Sequence, residues 1–280
     1  MKFNLAFLLC SLLFSCSAEE IETYKIMTYN IRYDNPNDGQ NQWSQRKEFL
    51  KDQISYYEVD IFGVQEALYH QVSYLDTFFY KYSYIGVGRD DGKEKGEYCA
   101  IFYNSNKFIC SDSGTFWLSQ TPDKISVGWD ASMERICTYG LFKTRHLNNE
   151  FFVFNTHLDH LGELARLQSL KLIVRKILEL NTDKLPLVLM GDFNLKPEST
   201  GIVYLRTVLN DSKELSLEKP FGPNGTFNGF QFQQAVVDRI DYIFVDKEQI
   251  RINKYAVLSD SKNCRYPSDH LPVLLDVQFK

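Results

Sequence analysis

Two stretches, Phe151-Phe152-Val153-Phe154 and Leu187-Val188-Leu189-Met190, are apolar at every position and too short to be buried helices. A strand with one face in water alternates apolar and polar residues, so these two read as central strands covered on both faces. Further short runs, β-branched or aromatic and bounded by polar residues, occupy 24–32, 60–65, 82–87, 98–103, 240–245 and 271–279. Helical spacing appears at Leu167, Leu170, Val174, Ile177 and Leu178, with Glu163 near the start, and more weakly at Phe49, Leu50, Ile54 and Tyr57. Strands outnumber helices, and the connections differ too much in length for uniform βαβ winding. The expectation is an α+β fold: two sheets packed face to face with helices outside, forming one domain over 23–280.

The first sixteen residues stand apart from that domain. Lys2 precedes an apolar run from Phe3 to Phe14 that is too short to span a bilayer and reads as a secretory signal. Its end, Leu13-Phe14-Ser15-Cys16, resembles a bacterial lipoprotein box, which makes Cys16 a lipid-attachment residue and 17–22 a tether. Phe14 is bulky for that box, so an ordinary signal peptide stays open. The expected location is therefore exported and membrane-anchored, through a lipid on Cys16. Export permits disulfides, and Cys99, Cys110, Cys137 and Cys264 allow three full pairings that the spacing does not choose between. Buried free thiols are the alternative, and no CxxC pair or Cys/His cluster points to structural zinc. Lys plus Arg number 31 against 36 Asp plus Glu, so a generally basic surface for gripping nucleic acid is excluded while a local basic cleft is not.

The chemistry-bearing residues fall where strands stop. The first run ends in Asn30, the second in Gln65-Glu66, and Phe151–Phe154 runs into Asn155-Thr156-His157-Leu158-Asp159. Leu187–Met190 ends in Gly191-Asp192-Phe193-Asn194, and Ser268-Asp269-His270 precedes the last strand. Asp241, flanked by Ile240, Tyr242, Ile243 and Phe244, reads as a buried carboxylate in need of a partner. Any one of these could be a turn residue or a cap; together they mark one end of a sheet as a reactive site. Long loops at 88–96, 119–133 and 211–234 are candidates for specificity.

In order, Met27-Thr28-Tyr29-Asn30-Ile31-Arg32, Val64-Gln65-Glu66, Asn155 to Asp159, Gly191 to Asn194, Arg239-Ile240-Asp241-Tyr242-Ile243 and Pro267-Ser268-Asp269-His270 resemble the motifs of the endonuclease/exonuclease/phosphatase superfamily, with its deoxyribonuclease-I-like fold. The resemblance covers essentially the whole exported chain. It implies a four-layer αββα sandwich with two central mixed sheets, and a metal-dependent phosphoric ester hydrolase. It also implies roles. Glu66 is the metal ligand, suited to a hard ion such as Mg²⁺ with Mn²⁺ able to substitute, and Asn30 and Asp269 complete the shell directly or through water. Asp192 orients or deprotonates the attacking water and Asn194 holds the phosphate or water in line. His270 contacts the scissile phosphate, its other nitrogen held by Asp241. His157 serves the leaving oxygen as general acid with Glu97 as its orienting partner, as in the deoxyribonuclease branch. Arg135 either forks onto a second anionic group or is a salt-bridged strand arginine.

The superfamily cleaves DNA, RNA, phosphoinositides and sphingomyelin, so the leaving group stays open. The expected function is metal-assisted in-line hydrolysis of a phosphodiester in a nucleic acid or nucleotide by a monomeric enzyme. A lipid phosphoesterase of the phosphoinositide or sphingomyelin type is the alternative, as is a phosphomonoesterase. A non-catalytic binding sandwich, the reading from another class, has no need of Glu66, Asp192 and His270 together. Phe227, Phe230 and Phe232 in the third long loop either stack on bases, meet lipid, or pack onto their own sheet.

Overall fold

The computed structural model describes residues 22–246 and 248–279. The expected signal sequence, Cys16 and most of the tether lie outside the described residues. Along the chain run strands β1 (Tyr24–Asn30), β2 (Ile61–Gln65), β3 (Tyr82–Ile85), β4 (Ile101–Asn104), β5 (Phe108–Trp117), β6 (Ile136–Thr144), β7 (Glu150–His157), β8 (Leu187–Asp192), β9 (Asn210–Asp211), β10 (Asp241–Val245), β11 (Ile250–Val257) and β12 (Val273–Phe279). The helices are α1 (Trp43–Tyr56), α2 (Tyr69–Phe78), α3 (Glu163–Leu180), α4 (Thr200–Leu205) and α5 (Ser212–Leu215).

The strands form two six-stranded sheets, in the order β11-β12-β1-β2-β4-β3 and β5-β6-β7-β8-β10-β9. Both are mixed: β1 with β2 and β7 with β8 are parallel, whereas β12 with β1 and β10 with β8 are antiparallel. The period of two sorts side chains into layers. Along β7, Phe151 and Val153 enter the core between the sheets, while Phe152 and Phe154 turn to the helix side. Along β8, Val188 and Met190 face the other sheet, and Leu187 and Leu189 pack with Leu170, Ile173 and Ile177 of α3. Met27 and Tyr29 of β1 pack toward Leu50 and Ile54 of α1. Three apolar layers separating helix, sheet, sheet and helix make the four-layer sandwich expected of the resemblance.

The sheets also touch through polar groups directly beneath the strand ends. Gln65 Nε2 donates to Thr28 Oγ1 at 3.0 Å and to Asn155 Oδ1 at 2.6 Å, and Asn155 Nδ2 donates to the carbonyls of Val64 and Ala100. Gly63 makes that approach feasible, because a Cβ there would lie 2.6 Å from Met190 Cε and 2.7 Å from Asn155 Cγ. Two motif residues, Gln65 and Asn155, therefore join the sheets.

Strand boundaries differ from the sequence expectation at their ends. The first strand stops at Asn30 because Arg32 turns to a positive φ of 56°, and the last starts at Val273. All four domain cysteines are free thiols, with Cys99 and Cys137 buried and Cys264 exposed, so no pairing forms among them. Among the described residues, no helix is long and apolar enough to cross a membrane.

Candidate active site

Parallel pairing aligns strand ends, and antiparallel neighbours bring their beginnings to the same edge. Asn30 pairs with Gln65, His157 with Asp192, and Asp241 with Asp192 across the antiparallel neighbour. Asp269 and His270 enter the same edge just before β12, where Ser268 Oγ donates to the Asn30 carbonyl at 2.7 Å. A cavity of about 520 Å³ opens there, walled by Glu66, Glu97, Arg135, His157, Asp192, Asn194, Asp269 and His270. Asp241 lies behind His270 and Asn30 behind the carboxylates.

Backbone conformation aims several of these groups. Glu66 and Asn194 each follow a strand end and hold positive φ, 63° and 48° respectively, a costly state for residues with a Cβ. Gly191 must be glycine: at φ 147° a Cβ would stand 1.9 Å from the Thr156 carbonyl. Asp192 and Asn194 both reach the cavity, but alternation along a strand is not the cause, since the strand ends at Asp192. The turn at Asn194 brings its side chain in, held by a bond from the Asn194 amide to Asp192 Oδ1 at 2.9 Å. Phe193 between them is fully buried, stacked 5.5 Å from Tyr242 and 5.8 Å from Phe244.

One half of the site centres on His270. Its Nδ1 donates to Asp241 Oδ2 at 2.9 Å, and its Nε2 stands 3.8 Å from Asp192 Oδ2. Burial opposes a charged imidazole, but Asp241 and Asp192 outweigh it and hold His270 well above its ordinary pKa, so it is an imidazolium. Burial, with Asp241 adding its charge, pushes the Asp192 carboxyl up to about 7. Phe227 covers this half edge-on, its ring 5.0 Å from that of His270. Phe232 packs on Tyr266 instead.

The other half centres on His157. Its Nε2 lies 3.1 Å from Asn194 Nδ2 and 3.4 Å from Asp192 Oδ2. Burial, then Arg135 and Arg89, hold its pKa well below the ordinary value, so the imidazole is neutral. Glu97, the expected orienting partner, stands 3.9 Å from His157 Nδ1, too far for a hydrogen bond. Arg89 forks onto Glu97 instead, at 2.8 and 3.0 Å. Arg135 forms the salt bridge that was one of its two expected roles. It bonds Asp159 Oδ2 at 3.3 Å and contacts His160 Nδ1 at 2.9 Å, and it lines the cavity. Burial disfavours the Asp159 anion, yet bonds from Gly162, Ser132 and Leu161 and the charge of Arg135 hold its pKa well below the usual range.

Glu66, Asp192 and His270 each offer an atom within 4.8 Å of the others, and Asp269 lines the same wall. Burial, with Glu66 adding its charge, raises the Asp269 pKa. Three crowded carboxylates of hard oxygen donors fit a divalent cation, which would relieve their repulsion. Asn30 Nδ2 donates to Glu66 Oε1 at 2.9 Å and Asp192 Oδ2 at 3.0 Å, and Oδ1 accepts from the Arg32 amide with one lone pair to spare. In this arrangement it positions the two carboxylates.

Several residues of the site had no assigned role in the sequence. Arg32 lies 3.8 Å from both Glu66 and Asp269 while forking onto Asp38. Buried Arg46 fastens the Arg32 turn by donating to the carbonyls of Ile31, Arg32 and Pro267. Arg89 sits in a loop crowded with Lys, Asp and Glu, where nothing local distinguishes it. Arg32 was within reach, since it closes the first motif.

A two-sheet sandwich that gathers carboxylates, imidazoles and arginines at one end of its strands defines a phosphoric ester hydrolase. The Endonuclease/Exonuclease/phosphatase family model matches residues 27–270, and the chain belongs to that family. Enzymes of the family are generally dependent on divalent metals. Among solved structures the chain is similar to an endonuclease/exonuclease/phosphatase family protein of Bacteroides thetaiotaomicron, 39% identical with a TM-score of 0.88 over 93% of this chain and 99% of that one. It is similar also to a mannosyl-6-phosphatase of the same species, 40% identical with a TM-score of 0.87 over 91% of this chain and 100% of that one. A curated relative is the Ccr4 3'-5'-exoribonuclease subunit of Mycosarcoma maydis, 22% identical over 92% of this chain and 51% of that protein. The chain thus spans about half of that relative's length.

Proposed function

We propose that this chain is a Mg²⁺-dependent phosphomonoesterase acting on a small sugar phosphate. The observation that carries the reading is the concentration of Arg32, Arg89 and Arg135 on one cavity of about 520 Å³ in a chain of net charge −5. That volume suits a small molecule, and clustered guanidinium groups suit the compact charge of a terminal phosphate, whereas a nucleic acid strand favours a basic surface track. The 40% identity to a mannosyl-6-phosphatase supports the same reading.

Glu66 and Asp269, with Asp192 beside them, would hold the cation, whose contribution is to absorb charge on the phosphate oxygens. The chain supplies the rest. Asp192, raised toward neutrality, takes the proton of the attacking water. His270, kept charged by Asp241, donates to a phosphate oxygen through Nε2. Asn194, held by the unprotonated Nε2 of neutral His157, aligns phosphate and water, and the leaving oxygen takes its proton from solvent.

The nucleic-acid phosphodiester expected from the sequence is the second reading, favoured by the exoribonuclease relative and by Phe227 at the cavity wall, where a base can stack. A panel of mannose 6-phosphate, other sugar phosphates, inositol phosphates, mononucleotides, single-stranded RNA and DNA, and sphingomyelin, assayed with Mg²⁺ and with chelator, separates them. Inorganic phosphate released fastest from a sugar phosphate, and abolished by chelator, is the expected result. Oligonucleotides shortened without release of inorganic phosphate would overturn it.

A further inference from the structure

The inner wall of the cavity leaves His157 Nδ1, Arg89 Nε and Arg135 Nη1 enclosed and without hydrogen-bond partners. These residues, with Glu97 and Cys99, surround a gap too tight for a water-sized sphere. A trapped water therefore cannot satisfy the orphaned atoms. Only side-chain movement can.

Glu97 Oε2 lies 3.9 Å from His157 Nδ1, about 1 Å short of a hydrogen bond. The ring is already in the tautomer that needs one. Because Asn194 Nδ2 donates to Nε2 at 3.1 Å, the proton sits on Nδ1. Glu97 is held back by the Arg89 fork, and the same guanidinium leans on Met133 Sδ at 3.0 Å. The Arg89 backbone is fixed independently of its side chain: its carbonyl accepts from Trp117 Nε1 at 2.8 Å and its amide bonds the Glu97 carbonyl. The guanidinium can thus leave Glu97 without the loop unfolding, and it already lines the cavity where a phosphate must sit.

We propose that Arg89 is a positioning residue that couples phosphate binding to the orientation of His157. In the free protein it sequesters Glu97; a bound phosphate draws the guanidinium away, and Glu97 then accepts the His157 Nδ1 proton in a hydrogen bond. Arg89 exchanges a carboxylate for a phosphate, and Glu97, left without that fork, keeps the charge of Arg135 nearby and gains the His157 Nδ1 hydrogen bond. The inference rests on the phosphoesterase reading only in taking phosphate as the competing anion.

The test is NMR of the histidine side chains in the Mg²⁺-containing full chain, with inorganic phosphate as the probe, alongside steady-state kinetics. In the native protein, phosphate should move the His157 Nδ1 proton into the hydrogen-bonded range. In Arg89→Ala that shift should be present before phosphate is added, and in Glu97→Ala, which removes the acceptor, it should be absent with or without it. Kinetically, Arg89→Ala should raise KM about 10- to 100-fold with kcat within about threefold, whereas Glu97→Ala should lower kcat about tenfold at unchanged KM. Arg89→Lys, which keeps the charge but loses the fork, covers the case in which the alanine variant does not fold; its His157 signal should lie partway toward the bonded position. A His157 signal in Arg89→Ala or Arg89→Lys identical to the native one would overturn the proposal, as would Arg89→Ala lowering kcat at unchanged KM. Loss of all phosphoesterase turnover with the NMR shifts intact would count against the proposed function alone.

Discussion

His270 and His157 both turn Nε2 toward Asp192 Oδ2, each with a second carboxylate near Nδ1, and yet one is an imidazolium and the other neutral. Both are buried, so desolvation disfavours the charged form in each case. The difference lies in what surrounds them. Around His270 stand Asp241, Asp192 and Asp269; around His157 stand Arg135, Arg89, His160 and His270 itself. The His270 pair is closed at 2.9 Å, whereas the His157 pair is open at 3.9 Å because an arginine has taken the carboxylate. One imidazole is set before substrate arrives, and the other waits for it.

Asp192, shared by both halves, is the place to break the comparison. Asp192→Asn is expected to lower kcat by about 10³- to 10⁴-fold, the upper range for loss of a general base, in rapid-quench or steady-state assays. Because Asn194 donates its amide to Asp192 and its side chain to His157, the double variant with Asn194→Ala should cost much less than the product of the single losses. Strict additivity would separate the two residues. Glu66→Gln, which leaves both imidazoles in place, should weaken Mg²⁺ binding and cut turnover on the order of 100-fold. Calorimetry showing unaltered Mg²⁺ affinity would move the ligand elsewhere.

Asp241→Asn should make His270 resemble His157. Its raised pKa means that the charged pair contributes stability that is fully present below the unfolded histidine value, about 6.5, and is lost as pH rises through the folded value. Removing the carboxylate lowers the folded pKa. The alkaline limb of kcat should therefore move to lower pH, with a loss of about tenfold near neutrality, and a limb that stays in place would remove Asp241 from the titration. The smallest effect is expected of Phe227→Leu, which strips the edge-on ring from the His270 half alone. An aromatic contact of about 0.5–1.5 kcal/mol corresponds to about two- to tenfold in kcat/KM, with the His157 NMR signal unmoved.

Elements that the sequence hid have local reasons. The edge strand β5 carries Ser111, Asp112, Ser113 and Gly114 in its middle and shifts register between Cys110 and Asp112, so neither alternation nor an apolar run marks it. β6 is interrupted by Gly140, whose missing Cβ leaves room for Phe142 and Ile85. The bulge between Ile252 and Lys254 breaks the alternation of β11. In α2 the aromatic residues Tyr69, Tyr74 and Phe78 blur the helical stripe.

The apolar runs at 151–154 and 187–190, and the polar residues that end them, are local patterns, and they were enough to place the centre of one covered sheet and its reactive edge. Period-two alternation is written in neighbouring residues, so no distant contact is needed to read it. Charge state is different in kind. Glu97 and Arg89 come to His157 from one loop and Arg135 from another, while Asp241 and Asp192 come to His270 from two strand ends to join its chain neighbour Asp269; the proton on each ring follows from the sum of those fields and of burial. That sum exists only once the chain has folded, which is why the sequence could name the two imidazoles while the tertiary structure decided which of them is charged.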